Sequence, residues 1–392
     1  MNIRNFEIFR KYVSENKGNK LRRCLVRCDL NLPSDIEDLS RVYLIKDTIL
    51  ELLDLGIKVS LISHYKRPSR EKISNSEFSL KNIVLAISKV LEKKVEFVES
   101  SIFDIDPKTI NSDIVLLENL RFYEGETKNN DELAKRLAQF GDVYINEAFS
   151  VSHRKHASID AITRYLPSFA GLSFQKEIER LSQVISNIEK PFTAIIGGSK
   201  VSSKIGVLKR ISQTADYLII TGAMANTFLV AKGTDMKNSI FEIEQLDTAK
   251  EITKTSKAEI VLPIDFLASQ DIKNSGTNFD YEKIPNGFSC FDIGERSTEN
   301  IIKIIDRSKT VLWNGAIGAF EFSNFNKATG IITKEIAKRT KNNNLISVIG
   351  GGETIASIGE YKKDMTFVST AGGAFLEFVA GYELPGIAAL QN

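Results

Sequence analysis

Along most of this 392-residue chain, short apolar runs of strand length alternate with stretches whose apolar residues recur at helical spacing. Runs at 23–30 (RCLVRCDL), 57–62 (IKVSLI), 113–117 (DIVLL) and 143–146 (VYIN) read as strands. Between the first two, Val42, Ile45, Ile49, Leu52 and Leu53 share one face of a helix that Gly56 stops, and further helices are predicted at 80–92 and 131–139. The second half repeats the rhythm, with strands at 192–196, 217–220, 259–262, 310–313, 345–349 and 366–369. Successive strands separated by helices are joined by crossovers, which gives parallel sheets covered on both faces. The class is therefore α/β. A chain of 392 residues exceeds one ordinary core, so two lobes are expected. The boundaries predicted are 1–172, a connecting helix at 173–190 that Glu189-Lys190-Pro191 ends, and 191–373.

A net charge of +2 gives no footprint for nucleic acid or an anionic membrane, so any basic site must be local. Cys24, Cys28 and Cys290 are too few for a disulfide framework and lack the neighbours a zinc site needs. Cys24 and Cys28, four apart, share one face of the first strand as small core residues. No apolar run approaches membrane-spanning length, and the opening Met1 to Gly18 mixes charge and aromatics without a signal-peptide core. A cytoplasmic protein is the expectation.

Ligands of open parallel sheets bind beyond the carboxyl ends of the strands. In the first half those loops carry Asp29 and Asn31, then His64 and Arg67, then Arg121, then Arg154, while Arg41 opens the first helix. All three histidines, His64, His153 and His156, fall there. Guanidinium groups pair two-pronged with carboxylate or phosphate, so this inventory suits a small phosphorylated acid.

The loops of the second half are glycine-rich instead. Gly197-Gly198-Ser199-Lys200 follows a strand, with Lys204 one helical turn on. Gly222-Ala223-Met224, Asn314-Gly315-Ala316-Ile317-Gly318, Gly350-Gly351-Gly352-Glu353-Thr354 and Ala371-Gly372-Gly373-Ala374 follow others. Glycine lets backbone amides approach phosphate, and helix N-termini favour its charge. Neither a P-loop (GxxxxGK[ST]) nor a GxGxxG fingerprint occurs in them.

Ten segments, VRCDLN (26–31), SHYKRP (63–68), LLENLRF (116–122), NEAFSVSHRKHAS (146–158), GGSKVSSKIGVL (197–208), TGAMANTF (221–228), LPIDF (262–266), VLWNGAIGAFE (311–321), GGGET (350–354) and STAGGAFLE (369–377), closely resemble the phosphoglycerate kinase family in order and spacing. The resemblance covers nearly the whole chain. It implies two Rossmann-like lobes joined by a helix, with 3-phosphoglycerate or 1,3-bisphosphoglycerate on the first and MgADP or MgATP on the second. It also implies a tail from about 374 that returns to the first lobe. Two ligands on two lobes require closure that excludes water, so a hinge motion about the 173–188 helix is expected, and lobes that open and close make a monomer the simplest expectation. Residue by residue, Asp29 and Asn31 would hold the glycerate end. His64, Arg67, Arg121 and Arg154 would grip the 3-phosphate. Arg41 would reach the reacting carboxyl, and Lys200 would stabilise the group in flight. Lys204 would contact the nucleotide phosphates and Glu321 the ribose. Gly351, Gly352 and Thr354 would cradle phosphates, with Glu353 as ligand to Mg2+.

The chain departs from the family pattern at three points. GGGDT reads GGGET, so Glu353 is one methylene longer than the usual metal-binding Asp. HLGR reads His64-Tyr65-Lys66-Arg67, which puts charge and bulk in the phosphate loop. WNGPMG reads WNGAIG, which removes a proline. Two alternatives fit the same inventory: a weakened paralogue that binds without turnover, and a kinase for another carboxylate.

Overall fold

The computed structural model describes residues 3–16, 21–32, 38–68 and 76–391. Met1, Asn2, Lys17 and Gly18, part of the opening segment considered above, lie outside them, as does Asn392 at the end of the tail. The chain divides into two compact units, Met1–Leu181 with Glu383–Asn392, and Ser182–Tyr382.

Unit 1 contains α1 (Phe6–Glu15), β1 (Arg23–Arg27), α2 (Ser40–Asp54), β2 (Lys58–Ile62), α3 (Val84–Leu91), β3 (Glu96–Val98), β4 (Ile114–Leu117), α4 (Glu124–Thr127), α5 (Asp131–Ala138), β5 (Val143–Asn146), β6 (Ser168–Ala170) and the first part of α6 (Leu172–Ser186). Its six strands form one parallel sheet in the order β3-β4-β2-β1-β5-β6. Strand side chains alternate between two cores. Cys24, Val26 and Cys28 pack with Phe9, Ile45, Ile49 and Leu52, whereas Leu25 and Tyr144 pack with Leu133 and Leu137. Each fully buried aliphatic side chain contributes about 1.5–3 kcal/mol.

The observed strand β1 stops at Arg27, three residues before the predicted end. Cys28 N still donates to Ile62 O, but Leu30 N donates to Ser63 Oγ, which turns Asp29–Asn31 out of the ladder. The helix predicted at 80–92 opens as a tighter turn, Leu80–Ile83, capped by Ser79, and becomes α-helical only at Val84.

Unit 2 contains β7 (Phe192–Ile196), α7 (Ile205–Thr214), β8 (Tyr217–Ile220), α8 (Ala223–Ala231), α9 (Leu246–Thr255), β9 (Glu259–Val261), β10 (Asp265–Ser269), β11 (Thr277–Asp280), β12 (Ser289–Ile293), α10 (Glu295–Arg307), β13 (Thr310–Asn314), α11 (Lys327–Lys341), β14 (Ile346–Gly350), α12 (Gly352–Ile358), β15 (Phe367–Ser369) and α13 (Gly372–Val379). Six strands make a second parallel sheet, β15-β14-β13-β7-β8-β9. A separate antiparallel sheet, β11-β10-β12, was not expected from the sequence. Its strands carry Asp265, Ser269, Thr277, Asn278 and Asp280, and β11 is half-exposed, so the apolar signal is weak.

The final helix, α14 (Pro385–Ala388), belongs to unit 1. Arg4 N donates to Leu390 O and Gly386 N to Ser152 O, which ties the end of the chain to the segment just before α1 and to the loop after β5. No helix among the described residues is long and apolar enough to cross a membrane.

In each six-stranded parallel sheet one strand marks the point where the winding reverses. β1 lies between β2 and β5, and β7 lies between β13 and β8. The loops leaving these strands are where such a sheet opens to a ligand.

Candidate active site

In unit 1 the loops after β1, β2, β4 and β5 bring together most of the residues singled out above. Asp29 is buried and forms an ion pair with Arg41, on the first turn of α2, and accepts from Ser150 Oγ. Burial works to raise the Asp29 carboxyl, but Arg41, then His64 and Ser150, outweigh it and hold it below its ordinary value. Asn31 N donates to Asp29 Oδ1 (3.1 Å), and Asn31 Oδ1 accepts from Lys66 N (2.7 Å).

His64 is buried directly after β2. Burial first, then the charges of Arg27, Arg121 and Arg154, push its imidazole down to about 3, so the ring is neutral at neutral pH. Arg121 is held by Asn119, whose Oδ1 accepts from Arg121 N (3.0 Å). Burial, then the charges of Arg154, Arg27 and Arg67, disfavour the Arg121 cation, and its Nε is buried without a hydrogen-bond partner. Arg154 Nε donates to His153 Nε2 (3.2 Å). Arg67 is exposed at the loop surface. Several guanidinium groups crowded into one loop cluster repel one another, and a bound dianion would relieve that repulsion.

Sequence reasoning missed Arg27. It is the last residue of β1 and fully buried. Its Nε donates to Ser158 Oγ (2.9 Å), which donates in turn to Glu126 Oε1 (2.7 Å), and its Nη2 lies 3.3 Å from His64 Nδ1. Glu126 is also fully buried, and His156 Nδ1 lies 3.6 Å from it. An arginine inside an apolar strand run was the available signal, since such a residue is buried only when paired.

Lys66 has a left-handed backbone, φ 51°, which explains why a glycine is the family's choice there. Lysine adopts it at a cost of about 1 kcal/mol. Its ammonium sits over the rings of Tyr65 (5.2 Å) and Phe78 (5.9 Å) and 3.5 Å from Glu77. The extra charge expected in the phosphate loop is thus engaged by those groups.

In unit 2 the loops after β7, β13 and β14 meet around Lys204, which precedes α7. Lys204 Nζ donates to Gly197 O (2.7 Å) and to Asn314 Oδ1 (2.8 Å). Burial lowers its ammonium to about 8, against the pull of the Glu353 carboxylate. Asn314 Nδ2 donates to Gly350 O (2.7 Å). Thr354 is buried; its Oγ1 accepts from Gly315 N (2.7 Å) and donates to Gly350 O (2.8 Å), so its hydroxyl braces two loops. Gly315 has φ +95°, and a Cβ there would lie 2.2 Å from Gly197 O and 2.8 Å from Lys204 Nζ. Only glycine lets these chains approach so closely. Gly351 caps α12 with φ 96°, and a Cβ added at Gly352, which opens that helix, would meet nothing within 4 Å. Glu353, on the same first turn, is exposed, as are Lys200 and Glu321, which stand apart from this bonded cluster. Sequence reasoning did not give Asn314 a role, although it lay inside a recognised motif.

No group of three or more His, Cys, Asp or Glu that could cage a metal occurs among the described residues. Glu353 is the one carboxylate on the Gly350–Thr354 loop, and its charge reaches Lys204. That donor set fits a magnesium ion carried mainly by substrate phosphates and water rather than by protein.

A family model described as phosphoglycerate kinase matches residues 16–382. Among curated relatives named phosphoglycerate kinase, the protein of Brucella melitensis is 42% identical over 385 residues, covering 95% of this chain and 97% of its own. That of Agrobacterium fabrum is also 42% identical over 385 residues, covering 95% and 96%. Among solved structures, phosphoglycerate kinase from Coxiella burnetii superposes with a TM-score of 0.76 at 34% identity, covering 94% of this chain and 96% of that one.

Proposed function

Because this chain belongs to the phosphoglycerate kinase family, we propose that it catalyses reversible phosphoryl transfer between 1,3-bisphosphoglycerate and ADP, giving 3-phosphoglycerate and ATP. It is then an ATP:3-phosphoglycerate 1-phosphotransferase of glycolysis and gluconeogenesis, working as a cytoplasmic monomer. The observation that carries the reading is the cationic cluster of unit 1, with Arg121 Nε buried and unpaired beside His64, Arg27 and Arg154. Such a cluster selects a compact phosphorylated anion.

His64, Arg67, Arg121 and Arg154 grip the 3-phosphate in this reading, Asp29 and Asn31 orient the glycerate, and Arg41 is released from Asp29 to meet the reacting carboxyl. Lys204, Gly351 and Gly352 receive the nucleotide phosphates, Thr354 holds their loop in shape, and Glu321 takes the ribose. Lys200 neutralises charge on the group in flight. Glu353 would hold Mg2+, which supplies charge neutralisation on the phosphate oxygens.

Both nucleophiles, a carboxylate and a terminal phosphate, are already anions at pH 7, so no general base is required. Catalysis reduces to in-line positioning and charge neutralisation. Water must be kept out, and a closing motion about α6 is part of the proposal. Compaction by small-angle scattering on adding both substrates is the expected result.

A coupled assay with 3-phosphoglycerate and ATP, with and without Mg2+, tests the function directly. We expect Mg2+-dependent turnover, and Arg41→Ala and Lys200→Ala to lower kcat by about 100-fold or more, the scale of removing one charge stabiliser. Ligand binding without turnover would instead identify a non-catalytic paralogue.

A further inference from the structure

The Lys200 side chain is exposed on the loop between β7 and α7. That loop is nevertheless held, from forty residues away in sequence. Glu242 Oε2 accepts from Ser202 N (3.0 Å) and Oε1 from Ser202 Oγ (2.5 Å), and the adjacent Val201 amide donates to the same carboxylate. Within the loop, Ser203 Oγ donates to Lys200 O (2.8 Å) and Lys204 N to Val201 O (2.8 Å), so the clamp is transmitted to the lysine's own peptide unit.

The other end of the clamp is anchored in the core of unit 2. Glu242 N donates to Thr227 Oγ1 (3.1 Å), and Asn226 Nδ2 donates to Ile240 O (3.0 Å). Thr227 and Asn226 are buried residues of α8. Ser239 Oγ accepts from Cys290 N (3.0 Å) of β12. Segment 239–242 is therefore sewn to α8 and β12, and the carboxylate is what reaches out to the lysine loop.

We propose that Glu242 is a positioning residue for phosphoryl transfer, fixing the Val201–Ser202 peptide so that Lys200 is presented in one place. The inference rests on the role given to Lys200 above. Burial raises the Glu242 carboxyl, but the hydrogen bonds from Ser202 and Val201 and the nearby charge of Lys200 outweigh it and keep it ionised. A carboxylate offers an acceptor oxygen to each of the two Ser202 donors, whereas the amide of a glutamine replaces one of those oxygens with a donor NH2. Loss of the clamp relaxes a loop that must hold its cation to a fraction of an ångström, and misplacement by 1 Å costs up to about 100-fold in rate.

The test is steady-state kinetics of Glu242→Gln, Glu242→Ala and Ser202→Ala, alone and combined with Lys200→Ala. Glu242→Ala should lower kcat by about 10-fold while both KM values stay within about 3-fold, and Glu242→Gln should fall between it and wild type. Ser202→Ala should reproduce part of the loss, and the Ser202→Ala/Glu242→Ala double variant should be no worse than Glu242→Ala. In the Lys200→Ala background, Glu242→Ala should change kcat no further. A full additional loss in that background, or unchanged kcat in Glu242→Ala, overturns the positioning role. Near-normal turnover in Lys200→Ala by itself instead removes the premise about the lysine, so the two failures are distinguishable.

Discussion

Nη2 of Arg27 lies 3.3 Å from Nδ1 of His64, and both side chains are buried. A guanidinium carries donors only, so Nδ1 must accept, and the imidazole proton sits on Nε2. The arginine thereby fixes the tautomer of a neutral ring whose other nitrogen remains a donor. Ring-nitrogen NMR should show the Nε2–H tautomer, uncharged down to about pH 4, because the group is held at about 3. Arg27→Met removes a like charge and should raise that value. The unfolded chain protonates near the ordinary histidine value and the folded one near 3, so stability is lost as pH falls between them. A charged His64 at pH 6 in the wild type contradicts this account.

Lys66 and Arg121 belong to neighbouring loops yet should behave oppositely. Lys66 is engaged by Tyr65, Phe78 and Glu77, whereas Arg121 Nε is buried and unpaired. Lys66→Met should leave KM for 3-phosphoglycerate within about 3-fold and lower stability by about 0.5–1 kcal/mol. Arg121→Ala should raise that KM by about 10- to 100-fold, the worth of a hydrogen bond to a charged group. Equal effects of the two substitutions would refute the distinction.

The alternation of strand and helix, and the placement of the chemistry in loops after strands, were readable because both depend on local periodicity. The antiparallel sheet was not, since Asn274-Ser275-Gly276 and the polar residues of β11 read locally as loop. Arg27 was hidden for a different reason. Its partners Ser158 and His64 lie 131 and 37 residues away, and nothing in a single strand run shows a pairing of that separation. Glu242 was hidden likewise. The left-handed backbone at Lys66 became visible only as a dihedral angle, although the glycine it replaces was the clue.

Glu147 is buried against the start of α6, where its carboxylate accepts from Ser173 N (3.2 Å), Phe174 N (2.9 Å) and Thr48 Oγ1. Burial dominates these hydrogen bonds and raises the group to about 7. The folded state therefore holds the proton where the unfolded state has lost it, and stability falls as pH rises from about 4.5 to about 7. Relative to Glu147→Gln, which does not titrate, the wild type should lose up to about 1.4 kcal/mol per pH unit across that window in urea titrations. A pH-independent difference would show that the helix amides, not burial, govern this carboxylate.

Lys204 supplies the complementary case in unit 2. Its ammonium is lowered to about 8, chiefly by burial, while it donates to Gly197 O and Asn314 Oδ1. In the free enzyme the cation is lost as pH rises through about 8, so kcat/KM for the nucleotide should fall above that pH. Bound polyphosphate places negative charge beside the ammonium and favours its protonated form. The corresponding fall in kcat, which reports the complex, should therefore appear at higher pH than the fall in kcat/KM. Separation of the two alkaline limbs is the signature of a buried lysine that meets phosphate directly. Coincident limbs, or none below about pH 9.5, would mean that Lys204 braces the loops without touching the nucleotide.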